Sequence, residues 1–439
     1  MIINSDIVGV IADDLTGAND TALQFHLHGA RTQILLNSTK ELVNTKGTQV
    51  WAIATETRNV SPELALEKVV QATQTLVERV NPDYIYKKID STIRGNIAVE
   101  TMGILETLNY DAAIICPAFP TEGRITVGGF HLLKGIPIER TEMARDPHNP
   151  ISDSHIPTLL KKQLSSEYQD IVGLIDLKIV AGGAAKILTE INRLIQDGKK
   201  LIVADSSSVV DIEQVALAIN KSEKNLLPVG SAALALAMSN YWLSDVEQHP
   251  TEKHFPTLPK FIVSGSATQI TANQIDKLDK SDDFDNVLMI NLDLQTVLNG
   301  VTDDFVERCV NNLRQNHIVV VNTSHLIINF DGFSDDSLNA DLTKANLAST
   351  ITDFLSDLTK KVTEKIQVVL ITLGGETSYK CCSAIGADQL QLLDEVSPAI
   401  PLCMDLNAQL IVTKSGNLGG NNTLVDIIKY FVSRDELEQ

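Results

Sequence analysis

Short apolar runs rich in Val and Ile alternate with longer amphipathic stretches along most of this sequence, and no other feature restricts the fold as much. Residues 7–12 form an apolar run that ends at Asp13-Asp14. A helix is expected over 21–28, stopped by Gly29, with strands over 32–36 and 49–54 after it. Ser61-Pro62-Glu63 supplies a cap, a first-turn proline and an early acid, so a helix is expected from there to about residue 80. Further strands are expected over 84–86, 112–116, 171–174 and 201–205, and again near 228–230. Helices are expected over 97–108 and 233–242. Strands separated by helices of this length imply βαβ units and a mostly parallel sheet.

The rhythm breaks at residues 249–259, where three prolines and several polar residues show no periodicity and read as a linker. A second series then opens at 260–263 and continues with strands expected over 287–291, 317–322, 368–373 and 410–413. A chain of 439 residues is too long for one hydrophobic core. The expected class is therefore α/β, as two α/β domains that each hold a mostly parallel sheet flanked by helices. Their expected bounds are 1–245 and 260–439, with 246–259 between them.

Composition narrows the partners. The net charge of -20 sets the surface against nucleic acid and anionic membrane, so an anionic substrate needs a local cationic pocket. No apolar run approaches the ~18 residues of a membrane span, and the N-terminal segment lacks the basic region of a secretory signal, so a cytoplasmic protein is expected. Cys116, Cys309, Cys381, Cys382 and Cys403 have no metal-type spacing and read as buried reduced thiols.

Chemistry collects at the ends of expected strands, where open α/β sheets bind ligands. Asp13 and Asp14 precede Thr16-Gly17; either carboxylate suits a helix cap, a base toward a substrate hydroxyl, or a Mg²⁺ ligand. Residues 86–96 place Lys88, Asp90, Ser91 and Arg94 in one strand-to-helix loop. There the cations suit a carboxylate, and Asp90 suits substrate hydroxyls. Arg58 follows a third strand and offers another carboxylate ligand. The loop 116–124, with Pro117, Pro120 and Arg124, reads as structural. In the second half, Ser264-Gly265-Ser266, Gly374-Gly375-Glu376-Thr377 and the Gly-rich stretch from Ser415 to Gly420 each follow a strand. Such turns expose backbone amides that form concave seats for phosphate. The chain lacks a Walker A motif, a GxGxxG after its first strand and a GxSxG elbow, which weighs against a dinucleotide-dependent dehydrogenase and a serine hydrolase.

The strings IADDLTGANDTA, KKIDSTIRGN, CPAFPTEGRITVGG, TEMARDPHNPISDS, VGSAALA, VSGSATQITANQ, LGGETS and KSGNLGG occur in this order. Together they resemble the successive signatures of the four-carbon acid sugar kinases over nearly the whole chain. The resemblance implies an N-terminal domain for the sugar acid, a C-terminal domain for ATP, and an active site in the cleft between domains. It assigns Asp13, Arg58, Lys88, Ile89, Asp90 and Ser91 to the acid site, joined by Arg94 from the residue reading. It assigns Ser264, Gly374, Gly375, Glu376, Thr377 and Gly416 to the nucleotide site, with Ser266 beside them. Asn417 and Leu418 depart from the family's usual Gly and Phe.

The implied reaction is ATP- and Mg²⁺-dependent phosphorylation of a sugar acid, D-threonate or D-erythronate at O4, with Asp13, Asp14 or Asp90 in the catalytic role. A 3-oxo-tetronate 4-kinase is the alternative within the family, and an NAD-dependent hydroxy-acid dehydrogenase the alternative outside it. The expected partners are the small sugar acid and ATP, with a homo-oligomer as a further possibility and no metal ligands assigned.

Overall fold

The computed structural model describes residues 6–36, 41–43, 45–146, 149–243, 255–315, 317–328 and 343–435. The chain divides into two compact units, Met1–Gln248 and His249–Gln439. Most of the linker expected at 246–259 lies outside the described residues.

In the first unit the strands are β1 (Val8–Ala12), β2 (Thr32–Leu35), β3 (Val50–Ala54), β4 (Tyr84–Lys88), β5 (Ala112–Cys116), β6 (Arg124–Val127), β7 (Phe130–Leu133), β8 (Ile136–Pro137), β9 (Val172–Ile175), β10 (Leu201–Ala204) and β11 (Leu226–Gly230). Its main sheet has the order β2-β3-β1-β4-β11-β5-β10-β9, and every pairing in it is parallel. These strands are short and apolar because helices cover both faces, which removes the alternation of a half-exposed sheet. The chain passes from β1 toward β2 and β3 on one side and to β4 on the other. The β1–β4 boundary is therefore a switch point, the place where open α/β sheets form a crevice.

Register sharpens this placement. Ala12 stands opposite both Ala54 and Lys88, so the residues after β1, β3 and β4 emerge level with one another. Helix α1 (Leu15–Leu27) follows β1 with Asp14 as its N-cap, six residues earlier than the expected start at 21. The polar Asp14, Thr16 and Asn19 disguise that first turn, although the Asp14 carboxylate accepts the Gly17 amide at 2.7 Å in a standard cap. Helix α2 (Pro62–Arg79) opens on the Ser61 cap as expected, and α3 (Ile97–Leu108) follows β4.

A small antiparallel sheet, β6-β7-β8, was not expected from the sequence. Its first turn is Gly128-Gly129, both at positive φ (60° and 77°), which suits the two-residue hairpin geometry. The Asp205 carboxylate accepts both glycine amides, at 2.5 and 2.8 Å, and fixes the hairpin to the end of β10.

The second unit contains β12 (Lys260–Ser264), β13 (Val287–Asn291), β14 (Ile318–Asn322), β15 (Val369–Leu373), β16 (Gln389–Ser397), β17 (Ile400–Asp405) and β18 (Leu410–Lys414), in the order β13-β14-β12-β15-β18-β17-β16. Pairing is parallel as far as β18 and antiparallel for β17 and β16. Here too the chain order reverses beside the first strand, between β12 and β15. The antiparallel pair was not expected, because register shifts near Leu392–Asp394 and Glu395–Ser397 break its alternation. All five cysteines are buried and free, so burial, not pairing, accounts for them.

Candidate functional site

The crevice after β1, β3 and β4 gathers the expected acid-site residues around one charge network. Arg58 donates from Nε and Nη2 to Asp13 at 2.8 and 3.0 Å, and from Nη1 to Asp14 at 2.7 Å. Burial alone would lower the Arg58 pKa, but Asp13 and Asp14 reverse this and hold it well above its usual value. The remaining Asp14 oxygen caps α1, and Glu56 accepts the Leu15 amide at 2.7 Å. The first turn of α1 is thus largely occupied by the protein's own carboxylates. Burial and then Asp14 push the Glu56 carboxyl well up.

The loop after β4 is equally constrained. Asp90 accepts Arg94 Nε at 2.6 Å and the Thr92 hydroxyl, while Arg94 also reaches Asp146 at 2.8 Å. Burial would raise the Asp90 carboxyl, but Arg94 and Arg58 overcome it and keep the group well below the carboxylate range. Ile89 turns its side chain into the core, which leaves its main chain for any ligand. Ser91 is partly exposed, and its carbonyl accepts His131 Nε2 at 2.8 Å. Burial lowers His131 to about 4, so its ring is neutral and donates through Nε2. Gly95, at φ 93°, lets this loop lie against Arg58; an added Cβ would meet the Arg58 Cα at 3.3 Å.

Lys87 and Lys88 part company because strand residues alternate sides. Lys87 is fully buried in an ion pair with Glu100 at 2.5 Å. Lys88 is 4% exposed, and among the described residues its ammonium has no carboxylate within ion-pair distance. A Cβ on Gly17 would lie 3.0 Å from Lys88 Nζ, so the ammonium rests on the first turn of α1. A nearly buried cation without a hydrogen-bonded counter-charge is a seat for an anion.

Three residues not expected in the acid site belong to the same network. Asp20 lies on α1 one turn beyond Gly17; its Oδ1 is enclosed without a hydrogen-bond partner. Arg124, assigned a structural role in its loop, has its Nε enclosed and unpartnered among the described residues. Glu56 completes the set. Asp20 shares its string with Asp13 and Asp14 at helical spacing from Gly17, and that spacing was the missed signal.

The second unit builds its candidate site from backbone. The turns after β12, β15 and β18 touch one another. A Cβ on Gly416 would lie 2.5 Å from Ser266 Oγ, and one on Gly374 (φ 116°) 3.4 Å from the Ser266 amide. Thr377 Oγ1 packs against both Gly265 and Gly374. Gly375 and Glu376 open the helix Gly375–Ala384, whose N-terminal amides add a positive end. Glu376 itself lies toward Lys380 at 3.5 Å. Ser264 stays fully buried, bonded to Ser324 at 3.2 Å, so it supports the turn from behind.

The loop after β18 shows how such a seat is made. The Gly416 carbonyl accepts the Thr268 and Thr271 hydroxyls at 2.7 and 2.9 Å. The Leu418 and Gly420 carbonyls accept Gln274 at 3.0 and 2.9 Å. Lys414 Nζ donates to Ser415 O at 2.8 Å and to Leu418 O at 3.3 Å. In a trans peptide the N–H points opposite to the C=O. The amides of Gly416, Asn417, Gly419 and Asn421 therefore face away from these partners, and among the described residues none has an acceptor. Outward amides of this kind form an anion nest. Leu418 packs against the core of this unit, and the departures at Asn417 and Leu418 leave the carbonyl anchors intact. Among the described residues no cluster of three or more His, Cys, Asp or Glu has a metal-binding arrangement, and no helix is long and apolar enough to cross a membrane.

Comparisons with known proteins agree with this architecture. Residues 8–238, more than half the chain, match the family model of a sugar-binding N-terminal domain, and residues 261–424 that of a nucleotide-binding C-terminal domain. The chain is 28% identical to a D-threonate kinase of Salmonella typhimurium, over 96% of this chain and 97% of that protein. It is 27% identical to a D-erythronate kinase of Heliobacterium modesticaldum over 97% of both. A 3-oxo-tetronate kinase of Brucella melitensis is 24% identical, over 94% of this chain and 93% of that one. A crystal structure of a Salmonella typhimurium protein shares the fold, with a TM-score of 0.77 at 21% identity, covering 95% of this chain and 98% of that one. A Haemophilus influenzae protein of the DUF1537 family does so with a TM-score of 0.72 at 24% identity, covering 96% and 100%. The chain belongs to the four-carbon acid sugar kinase family, with its sugar-binding domain first and its nucleotide-binding domain second.

Proposed function

We propose that the protein phosphorylates D-threonate or D-erythronate at O4 with MgATP as donor. The observation that carries this reading is the Lys88 ammonium, 4% exposed and without a carboxylate within ion-pair distance among the described residues. It offers a one-anion seat for the acid's carboxylate, beside an Arg58 already oriented by Asp13 and Asp14. Asp90 and Ser91 are the proposed partners for the acid's hydroxyls, with Arg94 holding Asp90 in place.

The nucleotide is assigned to the turns around Ser266, Gly374 to Thr377 and Gly416, whose amides suit phosphate oxygens. Mg²⁺ is proposed to arrive on those phosphates, where it neutralises charge during transfer. The rest of the chemistry is positioning: the acceptor oxygen must stand in line with the γ-phosphorus and its leaving oxygen.

An ADP-release screen over four-carbon acids with ATP and Mg²⁺ tests the reading. Turnover with D-threonate or D-erythronate above that with 3-oxo-tetronates is expected. No ADP release with any of them would overturn the kinase reading, and preference for a 3-oxo acid would overturn the substrate.

A further inference from the structure

Phosphoryl transfer to an alcohol needs a group that takes the hydroxyl proton, and that group must keep a lone pair free. The carboxylates of the first unit can be compared on this point. Both Asp13 oxygens accept from Arg58. One Asp14 oxygen caps α1, and the other accepts Arg58 and the Thr16 hydroxyl at 2.7 Å each. One oxygen of Asp90 takes both Thr92 and Arg94, and the charge of that ion pair keeps the group a poor base. Asp20 differs: its Oδ1 is enclosed and has no partner among the described residues.

The placement of Asp20 fits the substrate. Gly17 and Asp20 share a face of α1, and residues three apart stand about 5–6 Å from each other between Cβ positions. Lys88 Nζ rests at Gly17. That spacing is comparable to the length of a four-carbon acid from its carboxylate to its terminal hydroxyl. A carboxylate seated on Lys88 therefore leaves the far end of the acid level with Asp20. Arg124, whose Nε is enclosed and unpartnered among the described residues, joins Lys88 in favouring the charged form of Asp20.

We infer that Asp20 is the general base of the reaction and that Arg124 faces the phosphoryl group being transferred. This rests on the kinase reading above. In the step, the acceptor O–H proton passes to the Asp20 carboxylate as the oxygen's lone pair bonds to the γ-phosphorus. The bond from that phosphorus to the β–γ bridging oxygen breaks, and ADP leaves with the electron pair; Asp20 later releases the proton to solvent. Burial raises Asp20 to about 6, against the opposing pull of Lys88 and Arg124, with Glu122 adding to the rise and Gln24 countering it. Such a group is a base at neutral pH and is lost to protonation below about 6.

The test is Asp20→Asn with wild type and Asp13→Asn beside it, measuring ADP release against pH and sugar-acid binding by calorimetry. The expected result for Asp20→Asn is a fall in kcat of about 10²- to 10⁴-fold, with KM changed only a few-fold and the acid limb near pH 6 gone. Asp13→Asn should instead raise KM and keep that limb. Asp20→Asn with near-normal kcat, or with the acid limb intact, would overturn the assignment. So would a variant that binds neither acid nor nucleotide, since Asp20 would then hold the fold. Wild-type protein that releases no ADP with any four-carbon acid would instead defeat the kinase reading itself.

Discussion

The two units carry candidate anion sites made of different materials. The first uses charged side chains: Lys88, Arg58, Arg94 and Arg124 set among Asp13, Asp14, Asp20 and Asp90. The second uses main-chain amides exposed by glycine turns, with their carbonyls tied back by Thr268, Thr271, Gln274 and Lys414. Both place these groups where strand order reverses, beside the first strand of each sheet. A side-chain site chooses among ligands by the position of each charge, whereas a backbone site holds the phosphates common to many nucleotides. The contrast suits the proposed pair of ligands, a small, variable acid and a standard donor.

That contrast can be broken by substitution. Lys88→Ala should have the largest effect, a loss in kcat/KM for the acid of about 30-fold to a few thousand-fold, the range for removing one partner of a desolvated charge pair. Steady-state kinetics and calorimetry with ADP check it, and ADP affinity should stay within about twofold. Equal loss of acid and nucleotide binding would erase the proposed division of labour.

Gly374→Ala should do the reverse. At φ 116° a side chain is strained, and the new Cβ would lie 3.1 Å from Thr377 Oγ1. Strain of about 1–3 kcal/mol predicts a rise of roughly 5- to 150-fold in nucleotide KM, with sugar-acid binding unchanged.

Lys414→Met removes the donor to Ser415 O and Leu418 O and should raise nucleotide KM about tenfold, from hydrogen bonds of about 0.5–1.5 kcal/mol each. Lys414 also carries a pH signature. Burial lowers it to about 7 in the folded protein, against about 10.4 in an unfolded chain. Between those values the unfolded chain holds a proton that the folded one lacks, so stability should rise with pH from about 7 to 10. Urea unfolding across that range should show the rise in wild type and lose Lys414's share of it in the variant.

The smallest effect is expected from Asn417→Gly. Its amide belongs to the nest but its side chain makes no hydrogen bond among the described residues, so nucleotide KM should move less than about twofold. A tenfold change would mean that side chains read the nucleotide after all.

Legibility followed the same divide. The parallel strands were readable because most are short apolar runs that give way to polar, Gly or Pro residues, and the cationic loop after β4 announced itself by composition. Three elements did not. The hairpin pair β16–β17 hides behind its register shifts, and β6–β7 turns on Gly128-Gly129 within a stretch of mixed polarity. The start of α1 hides behind the polar residues of its first turn. Among functional groups, which cations are already paired is a three-dimensional fact. Nothing in the order of residues tells Arg58, held by Asp13 and Asp14, from Lys88, which no carboxylate among the described residues holds. Lys414 was likewise invisible, because a lysine ending a buried strand looks like any other strand exit until its carbonyl partners are known.

The carbonyl anchors of the loop after β18 have an evolutionary corollary. Since the proposed phosphate seat is written in peptide groups and its carbonyls are fastened from the helix Gln269–Asp279, drift at Asn417 or Leu418 should leave it in place. Substitutions at Thr268, Thr271 or Gln274 would loosen it although no ligand atom need ever touch them. Divergent members of such a lineage should therefore be recognised more safely by this hidden fastening than by the glycine-rich string it serves.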